Sequence, residues 1–137
     1  MIVVDTNVIG YLFLSSEGSV SAEKALQKDN DWAAPILWRS ELRNVLALYM
    51  QKNIIKLEQA QQIMNGALGL LKGREYEVPS HEVLRLASTS SCSAYDCEFI
   101  ATANDLKVPL VTVDKQLLRD FSSVAISLSA FADPLHG

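Results

Sequence analysis

The sequence predicts a doubly wound α/β domain, a parallel sheet of five short strands flanked by helices. Three observations lead there. The candidate strands are short and apolar throughout, with no polar alternation. Stretches of helical periodicity lie between them. Carboxylates also stand where two of these runs stop: Asp5 after Ile2-Val3-Val4, and Asp114 after Val108-Pro109-Leu110-Val111-Thr112-Val113. Strands buried on both faces read as continuous apolar runs, and parallel strands need a crossover, usually a helix, between them. In such sheets ligands bind beyond the carboxyl ends of the strands, where the strand order reverses.

Residues 2–4 form the first strand, and a short helix over 7–14 follows it. The polar run Ser15 to Ser19 reads as a loop, and a second helix runs over 21–28. Residues 31–35 are a short second strand. Trp38, Leu42, Val45, Leu46 and Tyr49 recur at i, i+4, i+7, i+8 and i+11, a helical stripe. A further helix spans 57–71, with Leu68, Leu70 and Leu71 read as core, or in part as a dimer surface. Residues 76–78 make a third strand, stopped by Pro79. Ser80 is placed as the cap of a helix over 82–88, and Ser93 as the cap of one over 94–106. Residues 110–113 are the fourth strand, 115–120 a short helix, and 124–128 the fifth strand. No linker or repeat interrupts the pattern, so residues 1–137 are expected to form one domain.

The composition narrows the function classes. At 137 residues, nearly half apolar, the chain can bury a core. No apolar run approaches the roughly 20 residues needed to span a bilayer. The first strand starts almost at Met1 without a basic leader, so a soluble cytoplasmic protein with no membrane partner is expected. Cys92 and Cys97 suggest no disulfide framework and are read as reduced, helix-borne and structural. The 12 basic residues against 16 acidic ones leave −4. That balance argues against sequence-blind nucleic-acid binding through a broad basic face. His81 and His136 are far apart, and no glycine-rich phosphate loop or nucleophile elbow is present.

The chemistry concentrates in Asp5, Glu41, Asp96 and Asp114. Each has an ordinary structural alternative. Asp5 and Asp114 can cap the helices that follow them. Asp96 stands three residues after Ser93, as in a capping box, but shares a helix face with Phe99, Ile100 and Ala103. Glu41 lies at the edge of the apolar stripe, where a solvated mid-helix Glu is common. No single alternative covers all four, so their convergence on one site is expected. Carboxylates gathered together repel, and a hard divalent cation with oxygen ligands is the simplest counter-charge. Thr112, two residues before Asp114, shares its side of the strand. Glu98 is expected to face water, as are Arg39 and Arg43. Lys115 and Arg119 are weak candidates for phosphate contacts.

Together these residues resemble a PIN-domain ribonuclease, and in size the VapC toxins of toxin–antitoxin pairs. The resemblance rests on Val3-Val4-Asp5-Thr6-Asn7, on Glu41, on Ser93-Ala94-Tyr95-Asp96-Cys97-Glu98-Phe99-Ile100-Ala101 and on Val111-Thr112-Val113-Asp114. It covers essentially the whole chain. It implies a five-stranded parallel sheet, Mg²⁺ or Mn²⁺ in an acidic pocket, cleavage of single-stranded or loop RNA, a homodimer, and an antitoxin partner. On that reading Asp5, Glu41, Asp96 and Asp114 are catalytic and metal-binding, with Thr6, Asn7 and Thr112 in support. Asp5 and Asp96 would be the principal ligands, and Glu41 and Asp114 would serve a second ion. Cys97 stands where a small residue such as alanine is more usual, and Trp38 is bulky for its place before Glu41. The alternatives are a stand-alone PIN nuclease, a phosphotransfer domain, or a catalytically silent binding module. A haloacid-dehalogenase-like phosphatase wants Asp at position 7, where Asn7 stands.

Overall fold

The computed structural model describes residues 1–134; His136 lies outside the described residues. Five strands, β1 (Ile2–Val4), β2 (Trp32–Pro35), β3 (Glu75–Tyr76), β4 (Leu110–Thr112) and β5 (Ala125–Ser127), form one sheet in the order β3-β2-β1-β4-β5. Every pairing is parallel. The order runs outward from β1 in both directions, so the switch point lies between β1 and β4. Asp5 and Asp114 follow those two strands.

The central strands bury both faces. Val3, Val4, Ala33, Ala34, Leu110 and Val111 are all 0 % exposed, which is why they read as unbroken apolar runs. The helices that cover them are α1 (Thr6–Phe13), α2 (Ser19–Lys28), α3 (Trp38–Gln51), α4 (Leu57–Leu70), α5 (Ser80–Ser88), α6 (Ala94–Leu106), α7 (Lys115–Asp120) and α8 (Leu128–Ala132). Helix α6 packs on β1, β2 and β4. Cys97, Phe99, Ile100, Ala101, Thr102 and Ala103 are buried along it, so this helix is enclosed on more than one side.

The element boundaries differ from the sequence reading at particular residues. Strand β3 begins at Glu75 and stops at Tyr76, because Tyr76 pairs with Pro35 and β2 ends there. Strand β5 stops at Ser127, whose hydroxyl accepts the Ala130 N–H at 3.1 Å and starts α8. That helix was not foreseen; five residues are too few to show a helical period. Ser80 is the first residue of α5 and not its cap. Pro79 takes the cap position with φ −65° and ψ 134° and no side-chain bond, a φ its ring imposes. Cys92 lies in the loop before α6, not on a helix.

Arg39 also departs from expectation. It pairs with Glu75 through Nε and Nη2, and the same carboxylate accepts the Trp38 indole N–H at 2.8 Å. Trp38 is fully buried. The fork clamps the first turn of α3 to β3 and so fixes the helix that carries Glu41. Glu75→Ala would strand the buried indole donor, at a cost of about 1–3 kcal/mol. Urea unfolding of that variant should show a lowered midpoint with an unchanged slope; an unchanged midpoint would refute the clamp.

Candidate active site

The β1–β4 register decides where the most buried acid goes. Val4 pairs with Val111, and the ladder continues one residue further, the Asp5 N–H donating to the Val111 carbonyl at 3.0 Å. Asp5 therefore lies beside Thr112, whose hydroxyl donates to Asp5 Oδ2 at 2.7 Å. Asp5 Oδ1 accepts the Thr6 N–H at 2.7 Å, and the Thr6 hydroxyl donates to Glu41 Oε1 at 2.7 Å. On the other side the Thr112 hydroxyl accepts the Asp114 N–H at 3.0 Å. One hydrogen-bonded chain, Glu41–Thr6–Asp5–Thr112–Asp114, thus ties three acids from α3, the end of β1 and the start of α7.

Asp96 joins them through its field. It raises the proton affinity of both Asp5 and Glu41, and Asp114 does the same to Asp96. The structure thereby brings all four acids into one neighbourhood. Helix capping accompanies this arrangement without preventing it. Asp114 Oδ1 accepts the Gln116 and Leu117 N–H groups at 2.9 Å, and Ser93 Oγ accepts the Asp96 N–H at 3.1 Å.

The electrostatics are those of acids short of a counter-charge. Burial pushes the Asp5 carboxyl up, Thr112 and Thr6 pull it back through hydrogen bonds, and Asp96 and Asp114 add to the rise. Glu41 is raised by burial and then by Asp5, Asp96 and Glu98, against its bond from Thr6. Asp96 is raised by burial and by Asp114. Among the described residues no Lys or Arg forms an ion pair with any of the four. Glu98 corrects the sequence reading. It is half-buried, its own carboxyl is raised by burial, and it repels Glu41. Two residues from Asp96 on the same helix, it points to a different face of α6, so a helical wheel could not have joined it to the acids.

The donor chemistry can be tested against a metal. Every candidate ligand is a hard oxygen, and the two threonine hydroxyls are oxygens too, a set suited to Mg²⁺ or Mn²⁺. No thiol competes, since burial pushes the Cys92 thiol up to about 11 and raises that of Cys97. The side chains are not drawn into a finished shell. Among the described residues no three His, Cys, Asp or Glu are grouped so as to hold an ion; Thr6 and Thr112 take up carboxylate oxygens instead. The residues fit a divalent cation in kind, and the carboxylates must turn from those hydroxyls to grip it.

Of the supporting residues, Thr6 and Thr112 are buried and bonded to the acids. Asn7 is exposed, and among the described residues its side chain bonds to none of the acids. Arg43 is exposed as expected, Arg119 pairs with neighbouring Asp120, and Lys115 is exposed. A latch that sequence reasoning missed joins the segments that carry the two late acids. Gln116 Nε2 donates to Ser91 O and Oγ, and Asp120 Oδ2 accepts both the N–H and the hydroxyl of Ser91. It ties α7, which follows Asp114, to the loop that opens α6 ahead of Asp96.

Thr112→Val should test the chain directly. It removes the donor to Asp5 and leaves the Asp114 N–H without its acceptor, at a cost of about 2 kcal/mol. The Asp5 carboxyl should titrate higher still, because the bond that lowers it is gone. Carboxyl-carbon NMR of Asp5 in both proteins reads this; an unmoved titration would refute the link.

A family model described as the PIN domain matches residues 2–125. Ribonuclease VapC3 of Pyrobaculum aerophilum is 24 % identical over 126 residues, covering 90 % of this chain and 96 % of that protein. Among solved structures, PAE2754 from Pyrobaculum aerophilum superposes with a TM-score of 0.76 at 21 % identity, covering 98 % of this chain and 88 % of that one. A toxin–antitoxin complex from Klebsiella pneumoniae gives 0.68 at 19 % identity, over 93 % and 98 % of the two chains. The topology, the acids at the switch point and the extent of the sequence match agree: this chain belongs to the PIN-domain family.

Proposed function

We propose that this chain is a metal-dependent endoribonuclease, a single domain over residues 1–137 that acts as the toxin of a toxin–antitoxin pair. The observation that carries the reading is the meeting of Asp5, Glu41, Asp96 and Asp114, from four separate segments, near the sheet's switch point, with no ion-pair partner among the described residues. Membership of the PIN family supports a nuclease. The likeness to the Pyrobaculum ribonuclease and to the Klebsiella toxin–antitoxin complex supports the substrate and the partner.

Asp5 and Asp96 would hold Mg²⁺ or Mn²⁺, with Glu41 and Asp114 serving a second ion or a bridging water. When bound, the metal supplies Lewis acidity and activates water near neutral pH. The protein's own part is positional. The Thr6 N–H and the Thr112 hydroxyl hold the Asp5 carboxylate in place without the metal, and Asp5 would turn from Thr112 to take up the ion. The fork on Glu75 and the latch on Ser91 hold α3, α6 and α7 at set distances. Ionised carboxylates also repel phosphate, so the RNA enters only where a cation neutralises them. Hydrolysis by water leaves a 5′-phosphate and a 3′-hydroxyl and makes no use of the ribose 2′-OH. A homodimer and a cytoplasmic location belong to the same reading. Among the described residues no helix is long and apolar enough to cross a membrane.

The test is incubation of the purified protein with total RNA in Mg²⁺ or Mn²⁺, with and without EDTA, followed by mapping of the ends. Discrete cuts with 5′-phosphates that vanish in EDTA are expected; RNA left intact under every metal condition refutes the reading. Co-purification with the product of a neighbouring reading frame separates a toxin from a stand-alone nuclease.

A further inference from the structure

A second feature lies at the carboxyl edge of the sheet, next to the acids and unused by them. Residues of α1, α2, β4, α7, β5 and α8 line an open cavity of about 350 Å³ at the surface, within the range of small-molecule sites. Thr112 lines it, so the cavity shares a wall with the acid cluster. Its lining is mainly apolar, from Tyr11, Val113, Leu118 and Leu128. Lys115, the exposed residue after Asp114, lines it together with Ser127, Ser129 and the exposed Glu17.

The Tyr11 ring is held in place. Gly18 lies flat against it, and a Cβ at that position would come within 2.2 Å of the ring. Ser19 anchors the same turn, its hydroxyl donating to the carbonyls of Tyr11 and Leu14 at 2.8 Å. Among the described residues the Tyr11 hydroxyl has no hydrogen-bond partner, although its backbone does.

We propose that this cavity receives the base of a nucleotide adjoining the scissile phosphate of single-stranded RNA, with Tyr11 as its stacking face. The inference rests on the nuclease reading above and names where its substrate lies. An aromatic wall with a lysine in the same lining matches single-strand recognition, in which bases stack on aromatic side chains while basic groups follow the backbone. Lys115 meets a phosphate of the same strand, which offsets the repulsion of the neighbouring acids. The overall acidity of the chain is consistent with this, because one local cation and one stacking face replace a broad basic surface.

The experiment takes an RNA oligonucleotide spanning a mapped cut site, with an abasic residue placed at each position flanking the cut. Wild type, Tyr11→Leu and Ser129→Trp are compared. Stacking on one aromatic side chain predicts that Tyr11→Leu raises KM about 5- to 100-fold with kcat little changed. Ser129→Trp, which would fill the cavity from an exposed lining position, should raise KM similarly. One abasic position should weaken wild type as much as Tyr11→Leu does, and weaken that variant no further, since the two changes remove one contact. Fully additive losses, or a KM unchanged in both variants, overturn the proposal while leaving the nuclease reading intact. An effect confined to antitoxin binding, with RNA kinetics unaltered, also overturns it. Should wild type cleave no RNA, anisotropy of the labelled oligonucleotide on metal-free protein decides: weaker binding by both variants supports the cavity, and equal binding refutes it. Circular dichroism melting of each variant guards against loss of fold.

Discussion

Asp5→Asn should abolish RNA cleavage, a loss of about three orders of magnitude or more, while the protein stays folded. The size follows from the several kcal/mol that metal-assisted charge stabilisation contributes to such reactions, at 1.36 kcal/mol per tenfold. The survival of the fold follows from geometry. Asn can keep Oδ1 facing the Thr6 N–H, and Asn is as good a helix cap as Asp. Its amide can donate to the Thr112 hydroxyl, which turns to accept and still has a lone pair for the Asp114 N–H. Charge alone is lost, at a position only 9 % exposed where charge is costly. The variant should melt at the wild-type temperature or above it. Asp96→Asn should behave likewise, since the Ser93 cap uses the Asp96 backbone N–H and not its carboxylate. Full activity of either purified variant in Mg²⁺ would refute the metal-site assignment, and a collapsed fold would refute the account of capping.

The second large effect is stabilisation by divalent cation at neutral pH. At a hundredfold excess over its dissociation constant, a ligand that binds only the folded state adds about 2.7 kcal/mol. In a domain of this size that is about 10 °C in Tm. The pH dependence has a definite sign. The folded-state values of Asp5, Glu41 and Asp96 lie above the ordinary 3.8, 4.5 and 3.8, chiefly through burial. Their contribution to stability is therefore fully present below those ordinary values and is lost as pH rises through the raised ones. Mild acidification from neutrality should stabilise the metal-free protein. Further acidification should reverse the gain, because Glu75 and Asp29 are held low by their hydrogen bonds and lose their contribution as they protonate. Mn²⁺ should raise Tm at pH 7.5, and the increment should shrink toward pH 4 as protons compete. Scanning fluorimetry across that range, with an Asp5→Asn/Asp96→Asn double variant as control, checks both claims. A melting temperature indifferent to Mn²⁺ at every pH, or an equal increment in the double variant, would remove the four acids as the metal site.

Parallel strands, helical crossovers and the location of the site were legible because each rests on local pattern. Apolar runs of three or four residues marked β1, β2 and β4, and the stripe through Trp38, Leu42 and Leu46 marked α3. Asp5 and Asp114 announced themselves by ending such runs, and Glu41 by its place beside a buried stripe. What stayed hidden depends on groups distant in sequence. Glu75 and Arg39 look like ordinary surface charges until β3 is laid beside β2. Glu98 looks solvated until α6 is seated over the sheet and brings it within the field of Glu41. Ser91 and Gln116, 25 residues apart, meet only when α7 packs back toward the loop before α6.

The amino-acid order by itself therefore determined the parallel α/β architecture and which acids stand at the strand ends, since burial on both faces and helical period are written along the chain. Only the tertiary structure decided that Thr6 and Thr112 link those acids, that Glu98 adds to their repulsion, and that a Tyr11-walled cavity opens beside them. Those depend on sheet register and helix placement, where one residue of slip would send each side chain to the opposite face.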